Sequence, residues 1–454
     1  MRISAESKLL DSELILEPDG FHDSEGRLIH FRGVNVAGNA KLPPFIPFEN
    51  EGWWDLLAQW GFNMVRLTLF WEAIEPEPDL YCRSYIDMIR EIVHQASKRG
   101  IYVLLDMYQD LYSRWLKGDG APDWSFPKKV DPKNNDSFGG RFWGLAYTLS
   151  QDVRDCFSNF FESKYLKDHY RNSWLEIAEI AKDNLYILGY DIMNEPFGGN
   201  ISNYDGRFEN NVLKPFIEDI ITSIRDVHQG AVGFVEPNIS DMYTSKLTPF
   251  KIDNLVYAPH LYNPLSSGLR FDPLPQGLLF NLILHIHLMK AKYLQMPLFI
   301  GEFGAPWTMQ PSYARNMAIN DALEVLENSF VPNAYWDFST RNVDAWNEED
   351  YSLIDQTGNT RGLDVNVRPY IRSLRGDPVY QRFDAMRKVY ATCFKSEPGV
   401  PPTIIHIPES IQYPDGFSIL VSDGSMEYHY DNYELYYFPS YNCHHYITIK
   451  PFSN

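Results

Sequence analysis

The chain has 454 residues, of which 44% are hydrophobic and 15% aromatic. That length predicts one large domain with a smaller one, or two medium domains. The formal net charge of −20 disfavours nucleic acid and strongly anionic membrane surfaces as partners. The abundant aromatic rings suit a sugar-binding cleft, because flat rings stack well on the C–H faces of sugars.

Short apolar segments recur over the first 340 residues, and each is followed by a stretch of helical periodicity. The predicted strands are, in chain order, 29–36, 64–70, 102–106, 187–192, 233–236, 255–258, 298–302 and 334–338. Their apolar runs are mostly continuous, which is typical of parallel strands covered on both faces. Helices are predicted between them, for example at 53–60, 84–99 and 173–183. The pattern predicts an α/β fold, a (β/α)8 TIM barrel, rather than a doubly wound sheet, because no G-x-G-x-x-G follows a strand.

The segment at 107–151 is too long for an ordinary loop of a barrel and is rich in Gly, Pro, Trp and Asp. Loops of this length are usually functional or disordered. Because Trp115, Trp124 and Trp143 would be costly to leave in water, we predict a folded lid over the active face. The alternative is a disordered segment.

The pattern changes after Tyr351 to turns and short strand-like runs, such as 417–421 and 433–438. Partial alternation without clear helices predicts a small antiparallel β-sandwich. We therefore predict a catalytic barrel at 1–365, with its lid near 107–151, and a C-terminal β-sandwich domain at 366–454.

The most apolar stretch, at 277–289, carries Asn281, His285 and His287 as a narrow polar stripe. It is shorter than the roughly 20 residues of a membrane span, so we predict a barrel helix packed on the sheet, with a lipid-facing surface as the alternative. The opening residues lack a basic region followed by an apolar run, which predicts a cytoplasmic protein. Four scattered cysteines without C-x-x-C spacing predict reduced thiols and no metal site, and no cofactor is expected.

Two glutamates follow or end two of the predicted strands. Glu195 lies in an Asn-Glu-Pro motif and Glu302 in a Gly-Glu-Phe-Gly motif. Catalytic residues of a barrel lie at the carboxyl ends of its strands, so the two carboxylates should converge on one pocket. Paired carboxylates that flank a sugar bond are the chemistry of glycosidases. The alternative for the first motif is structural, because Asn194 could merely cap a helix.

These two motifs resemble those of the family 5 glycoside hydrolases, which are retaining (β/α)8 enzymes. Further residues match the sugar-binding set of that family in order: Arg66, His260, Tyr262 and Trp336. The resemblance implies that Glu195 is the acid and base and that Glu302 is the nucleophile. We expect Arg66 and Tyr262 to hold Glu302 ionised, and Asn194 to bind the sugar 2-hydroxyl.

Within the family the chain is most similar to the endoglycoceramidases and their glucocerebrosidase-like relatives. The residues that carry this likeness are the run at 31–35 followed by Lys41, the run at 106–114, the run at 118–122 and the closing sandwich. The resemblance implies a glycolipid substrate, with release of glucose from glucosylceramide or a steryl glucoside as the main hypothesis. Release of intact oligosaccharide from glycosphingolipids is the alternative. Transient contact with a membrane or lipid would accompany either activity.

The same resemblance implies that Lys41 and Asp110 hold other sugar hydroxyls and that Trp336 lies under the sugar. Trp124 of the lid is assigned to the substrate-binding set as well. Tyr108 departs from the group, which usually carries His there, and tyrosine reaches farther, so the position of the first sugar could shift. Alternatives remain for three of these residues: Asp110 as a cap of the lid, Trp336 as a core residue and His260 as a structural histidine.

Two rival functions remain open at this point. The catalytic pair alone would serve a β-1,4-glucanase or mannanase equally well. A weakly active glycolipid-binding protein is a third hypothesis, motivated by Tyr108. Other acidic residues near strand ends, namely Asp106, Asp191 and Glu236, are interpreted as loop anchors, and the acidic run at 348–350 as a solvated face.

Overall fold

The computed structural model describes residues 14–48, 50–241, 243–263, 277–339 and 346–452. An eight-stranded parallel sheet and two antiparallel sheets make up this part of the chain. The expectation of a cytoplasmic protein rests on residues 1–13, which lie outside the described residues. In the described ranges, no helix is both long and apolar enough to cross a membrane.

The parallel sheet forms the predicted barrel. Three short strands precede it: β1 (Ile15–Glu17), β2 (Gly20–His22) and β3 (Leu28–Ile29). The barrel strands are β4 (Arg32–Val36), β5 (Met64–Leu69), β6 (Tyr102–Met107), β7 (Ile187–Asp191), β8 (Gly233–Val235), β9 (Leu255–Tyr257), β10 (Ile300–Phe303) and β11 (Asn333–Tyr335). The sheet order is β10-β11-β4-β5-β6-β7-β8-β9. Parallel bridges from Tyr257 to Leu298 and from Leu261 to Phe303 close it. The predicted α/β barrel is therefore confirmed.

The predicted first strand at 29–36 is wrong in one respect, because it merges two elements. Ile29 ends β3, which pairs with the first strand of the C-terminal domain, whereas Arg32 begins the barrel strand β4. The N-terminal hairpin also closes the lower end of the barrel: the Phe21 ring packs 5.5 Å from Phe31 and 6.2 Å from Phe234.

Helices alternate with the barrel strands. They are α1 (Gly52–Gln59), α2 (Trp71–Ile74), α3 (Arg83–Ser97), α4 (Ala146–Leu149), α5 (Gln151–Glu162), α6 (Lys164–Ala181), α7 (Lys214–Val227), α8 (Gly277–Leu294), α9 (Ser312–Asn328), α10 (Leu363–Asn366) and α11 (Glu409–Gln412). The predicted helix at 173–183 is longer in the structure. The Ser163 side chain accepts a hydrogen bond from the Leu166 amide and so starts α6 at Lys164.

The segment at 107–151, for which a folded lid was predicted, contains regular structure. Short helical turns at Arg114–Leu116, Asp123–Ser125 and Trp143–Leu145 give it regular backbone. It packs on the loop after β11, where the Trp346 indole donates to the Gly118 carbonyl at 3.0 Å. The lid therefore joins the rim of the barrel at the carboxyl ends of the strands.

The C-terminal domain is the predicted antiparallel sandwich. Its strands are β12 (Tyr370–Leu374), β13 (Asp377–Asp384), β14 (Val389–Ser396), β15 (Thr403–His406), β16 (Phe417–Val421), β17 (Ser425–His429), β18 (Glu434–Phe438) and β19 (Cys443–Pro451). One sheet has the order β1-β2-β3-β12-β15-β18-β17 and the other β13-β14-β19-β16. Buried residues such as Ile371, Phe394, Leu435 and Ile447 form one core.

A buried ion cluster ties the barrel to the chain that enters the sandwich. Arg32 of β4 donates to Glu327 of α9 at 2.6 Å, and Arg368, which directly precedes β12, lies 3.5 Å from the same carboxylate. All three side chains are almost fully buried. The two guanidinium groups therefore depend on Glu327 for their charge balance.

Replacing Glu327 tests this link. We expect Glu327→Ala to lower the free energy of unfolding by about 3–5 kcal/mol, because it leaves two buried cations without their anion. Urea unfolding followed by circular dichroism measures the change. Glu324→Ala, an exposed position of the same helix, is the matched control and should change stability little. An equal loss in both variants would contradict this account of the cluster.

Candidate active site

The two motif glutamates meet at the carboxyl end of the barrel. Glu302 lies in β10, and Glu195 follows β7. One oxygen of each carboxylate and a ring nitrogen of His260 all lie within 4.8 Å of one another. The side chains are nearly buried, with Glu195 8% and Glu302 4% exposed. Such a separation matches the short spacing of about 5–5.5 Å in retaining glycosidases and is below the 6.5–9.5 Å of inverting ones.

Arg66 holds the floor of this site. Its side chain is fully buried in β5, and its Nη1 donates to Oε1 of Glu302 at 2.8 Å. The other nitrogens bind Asp191 at 2.9 Å, Glu236 at 2.8 Å and the Asn194 amide oxygen at 3.0 Å. Burial alone would lower the pKa of Arg66, but the surrounding carboxylates raise it well above its ordinary value. The guanidinium is therefore a fixed positive charge under both motif strands.

The second oxygen of Glu302 has its own donor. The Tyr262 hydroxyl, from the loop after β9, donates to Oε2 at 3.0 Å. Arg66 and Tyr262 thus bind opposite oxygens of one carboxylate, as the resemblance implied, and fix its orientation. A carboxylate held in this way presents a defined lone pair to the cleft, which an in-line attack requires.

The backbone at Glu195 is held in an unusual conformation. Its φ angle is +41°, in the left-handed region that non-glycine residues seldom adopt. The Glu195 amide donates to Oε2 of Glu236 at 2.9 Å, and the Gln109 side chain donates to the carbonyls of Asn194 and Glu195. These bonds compensate for the strained backbone and direct the Glu195 side chain into the cleft.

His260 bridges the acidic groups. Its Nδ1 donates to Oε1 of Glu195 at 2.8 Å, and its Nε2 lies 3.3 Å from Oε1 of Glu236. Burial would lower the pKa of His260, but Glu236, Glu302 and the bond to Glu195 together raise it well above its ordinary value. Burial also raises the pKa of Glu236 to about 7. His260 therefore contacts the acid pair directly, which favours a site role over a purely structural one.

A second polar group lies around Lys41. Its ammonium is 3.2 Å from Asp110 and 3.7 Å from Glu349, and it lies 3.5 Å from the centre of the Trp346 ring. The Tyr108 hydroxyl donates to the same oxygen of Asp110 at 2.9 Å. Asp110 is thus part of the site, although it also bonds locally within the lid through Asp119.

Trp336 packs against this Lys41 group. Its ring stacks on Tyr108 with the centroids 5.4 Å apart and an angle of 17°, and Lys41 lies 4.9 Å from its centre. Trp336 is only 3% exposed, so in this conformation it offers a sugar little free surface. Tyr108, the residue that departs from the pattern described in the sequence analysis, provides the hydroxyl that orders Asp110.

Trp124 is not brought to this site. Its indole nitrogen donates to the Glu75 carbonyl at 3.2 Å, and its ring packs against Trp71 and His169. These contacts lie on the side of the lid that faces α2 and α6. Its assignment to the substrate-binding set came from its place in the lid alone, and its contacts are those of a packing residue.

Sequence reasoning underrated several acidic residues. Asp106, Asp191 and Glu236, interpreted as loop anchors, instead surround the Arg66 guanidinium. The assignment of 348–350 to a solvated face is wrong for Glu349, which faces Lys41 and accepts a bond from the Trp143 indole at 3.2 Å. The position of this run after the last barrel strand, on the catalytic rim, was the signal that could have identified it.

The arrangement also explains how the clustered acids are balanced. Two of the groups with metal-like spacing lie at this site: Glu195 with His260 and Glu302, and Asp106 with Asp191 and Glu236. The second group already encloses the Arg66 guanidinium, and in the first, His260 donates directly to Glu195. The positive charge of Arg66 therefore balances the second group, and His260 donates within the first.

Asp119 provides a pH-dependent test of the Lys41 group. Burial raises the pKa of Asp119 to about 7, above the ordinary value of about 3.9 for an aspartate. The stability that protonated Asp119 contributes is therefore present below about pH 4 and is lost as the pH rises through about 7. Its Oδ1 accepts the Asp110 amide at 2.9 Å, a bond that asparagine preserves.

We therefore expect Asp119→Asn to lose less unfolding free energy than the natural protein between pH 4 and 8, as measured by urea titration at each pH. Asp123→Asn, an exposed lid position, is the control and should follow the natural curve. Parallel curves for the natural protein and Asp119→Asn would show that Asp119 does not titrate in this window.

A closed barrel with two facing carboxylates at the carboxyl ends of its strands defines a two-carboxylate glycosidase. The chain belongs to glycoside hydrolase family 5: residues 23–342 match Cellulase (glycosyl hydrolase family 5). Residues 368–449 match the glycoside hydrolase family 5 C-terminal domain. The resemblance inferred from the motifs is thereby confirmed.

Three similar proteins extend this result. Endoglycoceramidase I of Rhodococcus hoagii is 25% identical over 439 residues, which cover 90% of this chain and 83% of that protein. Glucosylceramidase of Aspergillus fumigatus is 30% identical over 254 residues, or 42% of this chain and 34% of that protein. The structure of endo-glycoceramidase II from Rhodococcus sp. in complex with ganglioside GM3 has a TM-score of 0.80, with 24% identity, and covers 95% of this chain and 99% of that one.

Proposed function

We propose that this enzyme is a retaining β-glycosidase that cleaves the bond between a sugar and a lipid, in the manner of an endoglycoceramidase. The observation that carries the chemistry is the close pair Glu195 and Glu302, with Arg66 and Tyr262 on opposite oxygens of Glu302. Similarity to an endoglycoceramidase across 90% of the chain supports the glycolipid substrate. The sugar chain would leave intact, so glucose release becomes the second candidate.

The first step forms a covalent intermediate. An oxygen of Glu302 attacks the anomeric carbon, and the carboxyl of Glu195 gives its proton to the departing oxygen of the lipid. Arg66 and Tyr262 keep the attacking carboxylate in place. The products of this step are the free lipid alcohol and a sugar ester on Glu302.

The second step releases the sugar. Esterification removes the negative charge of Glu302, so the repulsion it exerts on Glu195 disappears. Glu195, now a carboxylate, takes a proton from water, and the water oxygen attacks the anomeric carbon. The bond from that carbon to Glu302 breaks, so the Glu302 carboxylate and the protonated Glu195 are restored and the sugar leaves with net retention. His260, at 2.8 Å from Glu195, steadies the negative charge that this residue gains and loses.

Remaining side chains would position the sugar. The side-chain oxygen of Asn194 accepts a hydrogen bond from Arg66, and its side-chain nitrogen donates one to the Gln109 carbonyl at 3.0 Å. These two bonds fix the orientation of Asn194 beside the catalytic pair. We assign it to the sugar 2-hydroxyl, where a bond strengthens in the transition state. Lys41, Tyr108 and Asp110 would bind hydroxyls farther round the ring, with Trp336 beneath them.

Variants of the two glutamates test the roles directly. Glu302→Gln should abolish turnover of both a glycolipid and a soluble aryl β-glucoside, because no ester can form. Glu195→Ala should slow glycolipid cleavage by about 10²–10⁴-fold, the usual contribution of a general acid. Dinitrophenolate leaves without being protonated, so Glu195→Ala should still form the sugar ester from a dinitrophenyl glucoside.

Added azide sharpens this test. It attacks the ester without needing a base, so Glu195→Ala should regain steady-state turnover of the dinitrophenyl glucoside and yield the β-glycosyl azide. Steady-state kinetics and NMR of the product give the answer. Recovery of turnover in Glu302→Gln instead would reverse the roles of the two glutamates. An α-glycosyl azide from Glu195→Ala would refute the covalent intermediate.

One observation favours the second candidate, release of a single glucose. The rim beside Lys41 is closed by contacts between the lid and the loop after β11. The Trp143 ring lies 4.8 Å from the Trp346 ring, and its indole nitrogen donates a hydrogen bond to Glu349. The Asn347 side chain accepts a hydrogen bond from the Gly140 amide and donates one to the Lys117 carbonyl. A wall at this end of the pocket would exclude a second sugar. Partial similarity to a glucosylceramidase agrees with it.

Product analysis separates the two candidates. Mass spectrometry of digests of glucosylceramide, lactosylceramide, a steryl glucoside and a cello-oligosaccharide should show intact lactose if the endo proposal is right. If the wall limits the pocket, the natural enzyme should cleave only the monoglucosyl lipids. Trp346→Ala should then gain the ability to cleave lactosylceramide. Trp124→Phe, outside the site, is the control and should leave the product pattern unchanged. Cleavage of the cello-oligosaccharide alone would overturn both candidates.

A further inference from the structure

Helix α8 carries a continuous apolar face that points to solvent. Leu278, Leu282 and Met289 are 84%, 57% and 62% exposed, and Ile286 and Tyr293 are exposed too. Their spacings of three and four residues place them along one side of the helix. We call these five residues the outer face of α8. Single exposed apolar residues are ordinary on protein surfaces, but a contiguous row marks an interaction site.

The opposite side of α8 is already satisfied by the barrel. Phe280, Ile283, Leu284 and His287 are buried there, as the prediction of a barrel helix required. The helix therefore has an apolar row on each side, of which only one is covered, and the exposed side chains of Asn281 and His285 lie beside the outer row. An apolar side of a helix normally packs against apolar surroundings, and in the described ranges no element covers the outer face of α8.

The neighbouring helix continues this surface. The Gly277 amide at the start of α8 donates to Asp321 of α9 at 3.0 Å. Met317 and Tyr313 lie one and two turns before Asp321 on the same side of α9, and both are exposed. The apolar row thus extends past the first turn of α8 toward the start of α9.

The charges of α8 identify the kind of partner. The helix contains no Asp or Glu, although the chain has 60 acidic residues and a net charge of −20. Lys292 and Tyr293, both exposed, lie near its end. Lysine and tyrosine at the margin of an apolar row are typical of helices that lie in a lipid interface, where the apolar stem is buried and the polar tip stays in water.

The position of α8 fits the chemistry of the site. It is the barrel helix that follows β9 and the chain carrying His260 and Tyr262, so its first turn, with Leu278, lies toward the catalytic rim. A surface that contacts Leu278 and Leu282 would thus lie beside the mouth of the pocket. A glycolipid substrate is held in such a surface by its own lipid tails.

We propose that the outer face of α8 docks the enzyme on an uncharged lipid bilayer, next to the cleft that receives the sugar head group. The proposal rests on the proposed function for its biological meaning, but bilayer binding is a separate property of the surface. Apolar side chains at the acyl boundary supply the affinity, and the strongly negative remainder of the protein opposes anionic lipid. Binding should therefore be insensitive to salt on neutral vesicles.

Flotation with phosphatidylcholine vesicles that contain no glycolipid tests the proposal without turnover. The triple variant Leu278→Gln, Leu282→Gln and Met289→Gln keeps good helix formers in place. We expect it to bind vesicles about tenfold or more weakly than the natural protein, since three apolar side chains leave the interface. The matched control carries Leu185→Gln, Met386→Gln and Leu420→Gln, which are comparably exposed on other elements, and should bind like the natural protein.

Other outcomes would overturn the proposal. Equal vesicle binding by the α8 variant and the control, or binding lost in high salt, would exclude an apolar docking face. If light scattering shows a dimer that the α8 variant dissociates, the face serves a second copy of the chain instead. Turnover of a soluble aryl β-glucoside should be the same in all three proteins. Vesicle binding without any hydrolysis would refute the proposed function and leave the docking surface intact.

Discussion

The structure depends on one buried guanidinium. Arg66 ties together residues from strands all round the catalytic end of the barrel: Asn35 of β4, Asp106 of β6, Asp191 of β7, Glu236 after β8 and Glu302 of β10. Burying a charge is expensive, and the cost is offset only when good geometry satisfies every donor. The planar fork of arginine meets this requirement, and the single ammonium of lysine would not. The same guanidinium fixes the position of Glu302 by donating to its Oε1.

The surplus of acids around that cation determines the remainder of the site. His260 and Lys41 supply further positive charge, and burial raises the pKa values of Glu236 and Asp119 to about 7. Glu236 and Gln109 also hold the strained backbone at Glu195 through hydrogen bonds. Stability and catalysis are therefore linked, because the groups that balance Arg66 also orient the acid and base.

Sequence alone predicted the barrel, the sandwich and the two glutamates, because continuous apolar strands and rim motifs are local signals. The resemblance also pointed to Arg66, Tyr262 and His260, and the structure brings all three side chains to the pair. The sequence could not anticipate that Asp106, Asp191 and Glu236 share one cation, since that depends on which side of each strand faces the barrel axis. The surroundings of Trp124 and Glu349 could not be predicted for a related reason. The paths of the long lid and of the loop after β11 decide which residues face the cleft, and no local pattern encodes those paths.

The most direct test of the mechanism is to trap its covalent intermediate. A 2-deoxy-2-fluoro β-glucoside with a good leaving group slows the second step, so the sugar ester should accumulate. Mass spectrometry of the digested protein should find the fluoroglucosyl group on the peptide that contains Glu302. A label on the Glu195 peptide, or inversion at the anomeric carbon without any labelled peptide, would contradict the account.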